Sequence, residues 1–250
     1  MKYVLLTALG VGGATVLGAA IGYLFGKPSR KQNDTILGFA AGVMLAAAVV
    51  GLILPSMEYG GDHSVLVTVV GVLAGALFLN LVDKFTPHLH RVVGADIECH
   101  DCNKNISKVI LFVLAIAIHN FPEGIAAGVS FGTGNMSDAF TVSLGIALQN
   151  IPEGMIIIAP LVSAGASKVR AFGIAALTGL VEVVGTLIGY FAVSISAAVL
   201  PFALAFAGGT MLYVISDEMI PETHSGGFEK QATYSLLLGF CVMLLLDFYI

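Results

Sequence analysis

The motif HNFPEG occupies residues 119–124, near the middle of a long apolar run, and QNIPEG at 149–154 repeats its pattern in the next apolar run. A third acid, Glu182, lies inside another apolar stretch. A charged side chain at the centre of a membrane-spanning helix costs about 2.5–3.5 kcal/mol on insertion scales. Because the chain accepts this cost at three acids, we interpret the motifs as a site for a cation.

The composition indicates a membrane protein. Hydrophobic residues make up 57% of the 250 residues and charged residues only 11%, with a mean hydropathy of +0.95. A soluble domain carries about 25% charged residues. No basic patch interleaved with aromatic residues is present, so we expect no nucleic-acid partner. We therefore predict an all-α, polytopic protein embedded in a lipid bilayer.

Apolar runs long enough to cross a bilayer, which takes about 20 residues, occur eight times. The predicted spans are 3–25, 34–56, 64–86, 107–131, 138–162, 170–196, 201–220 and 233–250. Their connections are short and rich in turn residues, except for a polar loop at about 87–106. The sequence thus predicts one transmembrane domain, residues 1–250, whose fourth and fifth helices carry the central metal site.

Basic residues are distributed unequally between the two sides of these spans. Ten of the eleven Lys and Arg residues fall in or beside the odd-numbered loops, and only Lys2 lies on the other side. Loops rich in Lys and Arg stay in the cytoplasm. We therefore predict that both termini are extracytoplasmic and that the 87–106 loop is cytoplasmic.

The spacing inside each motif gathers its polar side chains on one helix face. His119, Asn120 and Glu123 are three or four residues apart, and Gln149, Asn150 and Glu153 repeat this spacing. Consecutive spans are antiparallel, so the two motifs meet at the same depth. Imidazole and carboxylate ligands together suit zinc and other first-row divalent metals. A buried hydrogen-bond network that only joins the helices is the alternative interpretation.

The paired motifs, with Glu182 and the segment SDEMIPETH at 216–224, resemble the ZIP (Zrt-, Irt-like protein) divalent metal transporters, particularly their bacterial GufA-like branch. The resemblance extends over essentially the whole chain. It implies eight helices, a homodimer, and transport of Zn²⁺, with Fe²⁺, Mn²⁺ or Cd²⁺ as further candidates, across the cell (plasma or inner) membrane into the cytoplasm. Zn²⁺ is then the transported substrate, and no organic cofactor is expected.

The same resemblance implies a binuclear metal centre. One metal would be held by four side chains with a methionine of the second helix nearby: His119, Glu123, Gln149, Glu153 and Met44. The other would be held by two amides, a third acid and the two shared glutamates: Asn120, Asn150, Glu182, Glu123 and Glu153. Many ZIP proteins have a histidine where this chain has Gln149, although glutamine is typical of the GufA-like branch.

Two other functions are compatible with a metal site. A membrane sensor would bind the metal without transporting it. An intramembrane metallo-hydrolase would need several strong protein ligands, an open water position and a general base. The zinc-protease pattern H-E-x-x-H is absent, and His119 is the one histidine near the centre of a predicted span. We therefore predict that the chain is not an enzyme.

Polar groups at or beyond the ends of the spans suggest a route for cations. Glu58, Asp62 and Asp138 fall on the predicted outer side, and Glu218 and Glu222 fall at the predicted inner end of the seventh span. Acidic groups at a mouth raise the local concentration of cations. A solvated polar surface without a role in transport is the alternative.

The 87–106 loop contains Cys99, His100 and Cys102 among further histidines and acids. A C-x-x-C motif with a redox function would be expected near a βαβ pattern, which is absent. Thiols and imidazoles clustered in a cytoplasmic loop favour a soft-metal site. A flexible, solvated loop remains the alternative.

We expect the triple variant Cys99→Ser, His100→Ala, Cys102→Ser to bind less zinc in the loop, because the thiolates and the imidazole are removed. Zinc titration of the purified protein would measure this loss. Basal metal uptake should persist, since the loop lies outside the predicted transmembrane site. A variant that folds and reaches the membrane but takes up no metal would place the loop in the transport path.

Overall fold

The fold consists of long helices that run back and forth. The structure, a computed structural model, describes residues 1–26, 28–85, 117–163 and 165–250, and in these ranges it contains helices and no strands. The long helices are α1 (Lys2–Phe25), α2 (Arg30–Tyr59), α3 (Ser64–Phe85), α4 (117–130), α5 (Met136–Ser163), α6 (Lys168–Ile195), α7 (Leu200–Thr223) and α8 (Glu229–Tyr249).

Seven helices within the described ranges are long and apolar enough to cross a membrane. They confirm seven of the eight predicted spans, each within a few residues. The predicted span at 107–131 is described only as α4, so the eighth crossing stays a prediction. The 87–106 loop, with Cys99, His100 and Cys102, lies outside the described residues.

Polar caps explain why some helices begin before their apolar runs. At the start of α2, the Gln32 N–H donates to Ser29 Oγ (3.3 Å) and the Ser29 N–H donates to Gln32 Oε1 (2.9 Å). This reciprocal pair satisfies backbone donors that the first helical turn leaves free. Ser167 likewise accepts from the Arg170 N–H at the start of α6. These caps extend the helices beyond the apolar runs, towards the membrane surface.

Two helices contain a wide, π-helical turn at membrane depth. In α2 it occupies Ala47–Ile53, and in α7 it occupies Ile215–Met219. A proline, Pro55 or Pro221, follows each within two residues. A π turn contains about one residue more than an α-helical turn. The extra residue rotates the following part of the helix, so that different side chains face the neighbouring helix there. Each of these helices therefore presents a different face before and after its π turn.

Glycines let the helices carrying the motifs approach each other closely. A methyl group added at Gly124 or Gly128 of α4 would collide with backbone carbonyls of α6, and one at Gly185 or Gly189 of α6 would collide with those of α4. Small residues of this kind let transmembrane helices associate through backbone contact. A close backbone contact of the same kind joins α1 to α6, where Gly12 faces Gly179.

The remaining contacts complete the bundle. Helix α1 packs against α5 and α6, α2 against α5 and α8, and α3 against α7. The larger apolar cluster buries side chains of α2, α4, α5 and α7, and a smaller one lies between α1, α5 and α6. Helices α3 and α8 are the least buried of the seven spans.

Contacts between loops show which connections share an end of the bundle. The Tyr59 hydroxyl donates to the Thr133 carbonyl oxygen (3.2 Å), joining the second loop to the fourth. The Arg30 guanidinium donates to Ser225 Oγ (3.3 Å), joining the first loop to the seventh. The second and fourth loops therefore share one end of the bundle, and the first and seventh loops share the other. We call these the even-numbered end and the odd-numbered end. That the odd-numbered end is cytoplasmic stays a prediction from the charge distribution.

Labelling of single cysteines would test this orientation. In a background with Cys99, Cys102 and Cys241 replaced by serine, we expect Asp62→Cys to react with a membrane-impermeant maleimide in intact cells. Lys168→Cys should react only after permeabilisation, because Lys168 lies at the end rich in basic residues. Both native residues are exposed. Labelling of Lys168→Cys in intact cells would reverse the predicted orientation.

Candidate metal site

Glu182 is the most completely hydrogen-bonded acid of the predicted site. Its side chain is 0% exposed. Oε1 accepts hydrogen bonds from Thr15 Oγ1 of α1 (2.6 Å) and from the Asn120 amide of α4, and Oε2 accepts from the Asn150 amide of α5 (2.7 Å). Donors from three other helices thus surround one carboxylate, which removes much of the cost of burying it.

Glu123 has a different environment. It is 1% exposed, and its Oε1 accepts one hydrogen bond, from Gln149 Nε2 at 2.7 Å. Glu153 and Glu182 stand on the neighbouring helices α5 and α6. With one neutral donor and two neighbouring acids, an ionised Glu123 is poorly compensated by the protein. A cation placed beside it would supply the missing positive charge.

Three buried oxygen atoms in this region accept no hydrogen bond from the described residues. They are Glu123 Oε2, Gln149 Oε1 and Asn150 Oδ1, and all belong to predicted ligands. Buried polar atoms are normally hydrogen-bonded, and leaving one unsatisfied costs about 1–3 kcal/mol. One other such atom occurs in the described ranges, Asp34 Oδ2 near the odd-numbered end of the bundle. Unsatisfied carboxylate and amide oxygens fit a divalent cation, which binds oxygen lone pairs.

The motif glycines have a steric role that the sequence reasoning missed. A methyl group at Gly124 would strike the Glu182 carbonyl oxygen, and one at Gly154 would strike the Thr15 carbonyl oxygen. The glycine after each motif glutamate therefore brings α6 against α4 and α1 against α5. The separate contact of Gly12 with Gly179 brings α1 against α6, where Thr15 donates to Glu182.

His119 contacts an acid that we had expected at the inner end of the seventh span. Its Nε2 lies 2.8 Å from Glu218 Oε1, and both side chains are partly buried. Glu218 belongs to the π-helical turn Ile215–Met219 of α7. The wide turn brings this carboxylate to the His119 side of the site. An acid beside the motif histidine could have been suspected from Asp217 and Glu218, which stand together near the end of an apolar run.

The other predicted residues lie around this centre. Glu153 is partly buried on α5. Met44 is buried in the larger apolar cluster, which also contains Ile215 and Met219 of α7. Helix α5 runs without a break through Pro152 and Pro160. All eight predicted ligands lie on helices that the structure describes, namely α2, α4, α5 and α6.

The structure does not gather the expected ligands into a conventional metal cluster. Over residues 1–26, 28–85, 117–163 and 165–250, no group of three or more His, Cys, Asp and Glu side chains is arranged to hold a metal ion. The predicted set includes the amides of Asn120, Gln149 and Asn150, and Glu182 is directed toward amide and hydroxyl donors. The predicted ligand set and its division between two metals stay a prediction.

Thr15 is the residue of this network that the sequence gave least reason to choose. A threonine in a transmembrane helix commonly donates to its own backbone, as Thr178 does to the Ala175 carbonyl oxygen. The available signal was its position beside Gly12 and Gly13, since small residues mark helix contacts. Asn150 also donates to the Val11 carbonyl oxygen of α1 (3.3 Å), so α1 contributes two groups to the site.

Comparison with known proteins agrees with these features. Residues 94–247 match the family model described as "ZIP Zinc transporter". Over 249 residues the chain is 45% identical to "Zinc transporter GufA" of Myxococcus xanthus, covering 97% of each protein. It is 38% identical over 248 residues to "Zinc transporter ZIPB" of Bordetella bronchiseptica, covering 94% of this chain and 77% of that protein.

A human protein is also similar. The chain is 33% identical, over an alignment 319 positions long with gaps, to "Zinc transporter ZIP11" of Homo sapiens, and the alignment covers 94% of this chain and 93% of that protein.

A pair of matched substitutions would test the role of Thr15. We expect Thr15→Val to lower the free energy of unfolding of the purified protein by about 1.5–3 kcal/mol, because it removes a buried hydrogen bond to a carboxylate. Thr178→Val is the control, since Thr178 is equally buried but donates only to its own helix. Denaturant unfolding in detergent would measure both. Equal losses would mean that the Thr15–Glu182 bond adds nothing specific.

Proposed function

Because the chain belongs to the ZIP zinc transporter family, we propose that it carries Zn²⁺ through the membrane into the cytoplasm by way of the site formed between α4, α5 and α6. ZIP proteins are metal transporters rather than enzymes, which agrees with the expectation that this chain is not an enzyme and leaves the metallo-hydrolase alternative without support. Fe²⁺, Mn²⁺ and Cd²⁺ are further candidate substrates, because the proposed oxygen and imidazole ligands accept several divalent metals.

The observation that carries the proposal is the group of unsatisfied oxygens at the centre of the bundle. Glu123, Gln149 and Asn150 each bury an oxygen atom that accepts no hydrogen bond from the described residues. A purely structural network would use these acceptors to join helices, as Glu182 does. Their availability at membrane depth favours a site that exchanges a passing cation.

The two proposed metal positions differ in charge. Glu123 and Glu153 carry two negative charges between them, which balances one divalent ion. Glu182 adds one charge for a second ion, and its oxygens already accept hydrogen bonds from Thr15, Asn120 and Asn150. We infer that the first position, with His119 and Gln149, is the tighter one. The second position is weaker and modulates the rate.

The route follows from the predicted orientation. Cations enter from the extracytoplasmic side of a cell membrane, reach the site between the motifs, and leave past His119 and Glu218 toward the odd-numbered end. Glu218 is partly exposed, so it offers a leaving ion a carboxylate in contact with water. We retain the homodimer as part of the proposal, with α3 and α8 the least buried helices available for lipid or a second copy.

A metal-binding sensor that does not transport is the second candidate, and uptake separates the two. Purified protein in liposomes loaded with a zinc-sensitive dye should show zinc entry that empty liposomes lack. Zinc binding without entry would favour the sensor. If zinc entry is lost when Glu123 is replaced, transport depends on this site and is not leakage through the bilayer.

Replacing each acid by the isosteric glutamine would show how much it contributes to zinc uptake and zinc binding. We expect Glu123→Gln to reduce zinc uptake by a hundredfold or more, because losing one partner of a buried charge pair costs about 3–5 kcal/mol. Glu182→Gln should lose one bound metal but keep uptake within about tenfold of the unmodified protein. The measurements are dye-reported uptake and the number of zinc ions bound per protein.

Glu229→Gln is the matched control, since it removes one negative charge from an exposed position at the start of α8. It should leave uptake unchanged. Loss of uptake in Glu182→Gln together with full uptake in Glu123→Gln would reverse the assigned roles. Equal losses in both would make the two positions one inseparable unit.

A further inference from the structure

A cavity of about 560 Å³ lies between α2 and α8 at the odd-numbered end of the bundle, away from the metal site. Two lysines, Lys31 of α2 and Lys230 of α8, line it. None of the other lining residues is acidic, so the cavity is positively charged. The function proposed above uses none of these side chains.

The lining changes character along the helices. Near the lysines it offers hydrogen-bonding groups from Thr35 and Gln231, and further along α8 it ends at Leu238. Since a helix rises 1.5 Å per residue, the lining reaches on the order of 12 Å from Lys230 to Leu238. Cationic groups thus lie at the membrane surface and an apolar wall lies toward its interior.

This side of α8 is also open to the surroundings. Tyr234 is 74% exposed and Leu238 is 59% exposed. Tyrosine is enriched where the headgroups meet the hydrocarbon core. Backbone contacts at Gly38 and Gly239 hold α2 and α8 closely together next to the cavity. The cavity therefore lies on the outer side of a tightly packed helix pair.

We propose that this cavity binds the phosphate headgroup of an anionic phospholipid, with one acyl chain lying along Leu238. Basic pockets between transmembrane helices on the cytoplasmic side suit such headgroups. Lys31 and Lys230 neutralise the phosphate, and the Gln231 side-chain amide donates a neutral hydrogen bond, whereas the Thr35 hydroxyl already donates to the Lys31 carbonyl oxygen. Under the proposed orientation the cavity faces the cytoplasmic leaflet, where anionic lipids attract basic groups.

The bound lipid would connect two parts of the bundle. Lys31 stands at the start of α2, which carries a π-helical turn, and Lys230 stands at the start of α8. A phosphate held between them joins the surface ends of these helices, as the internal contact between Ser235 Oγ and the Thr35 carbonyl oxygen (2.7 Å) joins them one turn deeper. The lipid therefore stabilises the α2–α8 pair.

Native mass spectrometry of the full-length protein in detergent would test the proposal. Titration with phosphatidylglycerol and with phosphatidylcholine of identical acyl chains should give one preferred phosphatidylglycerol adduct. In the double variant Lys31→Gln, Lys230→Gln, affinity for phosphatidylglycerol should fall on the order of 30-fold, because each lysine near an anionic surface contributes about a factor of five. Affinity for phosphatidylcholine should not change.

The double variant Lys84→Gln, Lys168→Gln is the matched control, because it removes the same charge from the same end outside the cavity. It should retain the preference. Gln231→Trp, which fills the exposed mouth without changing the charge, should lose the adduct. An equal loss in both lysine pairs, or no preference in the unmodified protein, would overturn the proposal. Competition by millimolar glycerol 3-phosphate alone would also overturn it, since the site would then bind a free phosphate.

Discussion

The hydrogen bonds that surround Glu182 are the interaction on which the arrangement of the motif helices depends. Its carboxylate accepts from Thr15 of α1, Asn120 of α4 and Asn150 of α5, while Glu182 itself stands on α6. An acid without these donors would carry a large desolvation cost at this depth. Because each donor comes from a different helix, the carboxylate is satisfied only when all four helices are in place. These hydrogen bonds therefore specify which faces of the four helices pack together, which apolar contacts specify less strictly.

The contrast between Glu182 and Glu123 divides the proposed metal site into a part that the helices already satisfy, around Glu182, and a more readily exchangeable part, around Glu123. Glu182 uses both oxygens in hydrogen bonds, whereas Glu123 Oε2, Gln149 Oε1 and Asn150 Oδ1 accept none from the described residues. A site that releases its ion must not bind it too tightly, and amide oxygens are weaker ligands than carboxylates. Pairing few acids with several amides suits an ion that passes through. The His119–Glu218 contact places a further acid next to this exchangeable part.

The sequence predicted the helices well and the fine positions of side chains poorly. Seven spans were found because the apolar runs of a membrane protein must match the bilayer thickness, a constraint that leaves little freedom. Gln149 of the second motif lies within hydrogen-bonding distance of Glu123 of the first, as helical spacing and antiparallel order predict, while the metal role of these side chains stays a prediction. Thr15 was missed because hydroxyls in apolar helices usually bond to their own backbone. Glu218 lies in the last turns of α7, as expected, but its contact with His119 was missed because regular helical spacing does not predict the π turn at Ile215–Met219.

The motif glycines affect how genetic variants of this protein should be interpreted. Gly124 and Gly154 hold no oxygen, nitrogen or sulfur ligand in their side chains, yet any larger residue there would force neighbouring backbones apart. A loss-of-function allele at either position therefore reports failed assembly, even though it lies inside a motif that also holds proposed metal ligands. An allele at Glu123 would instead remove a carboxylate of the proposed metal site. Mutational scans that score the six-residue motif as one functional unit would merge two unrelated causes of failure.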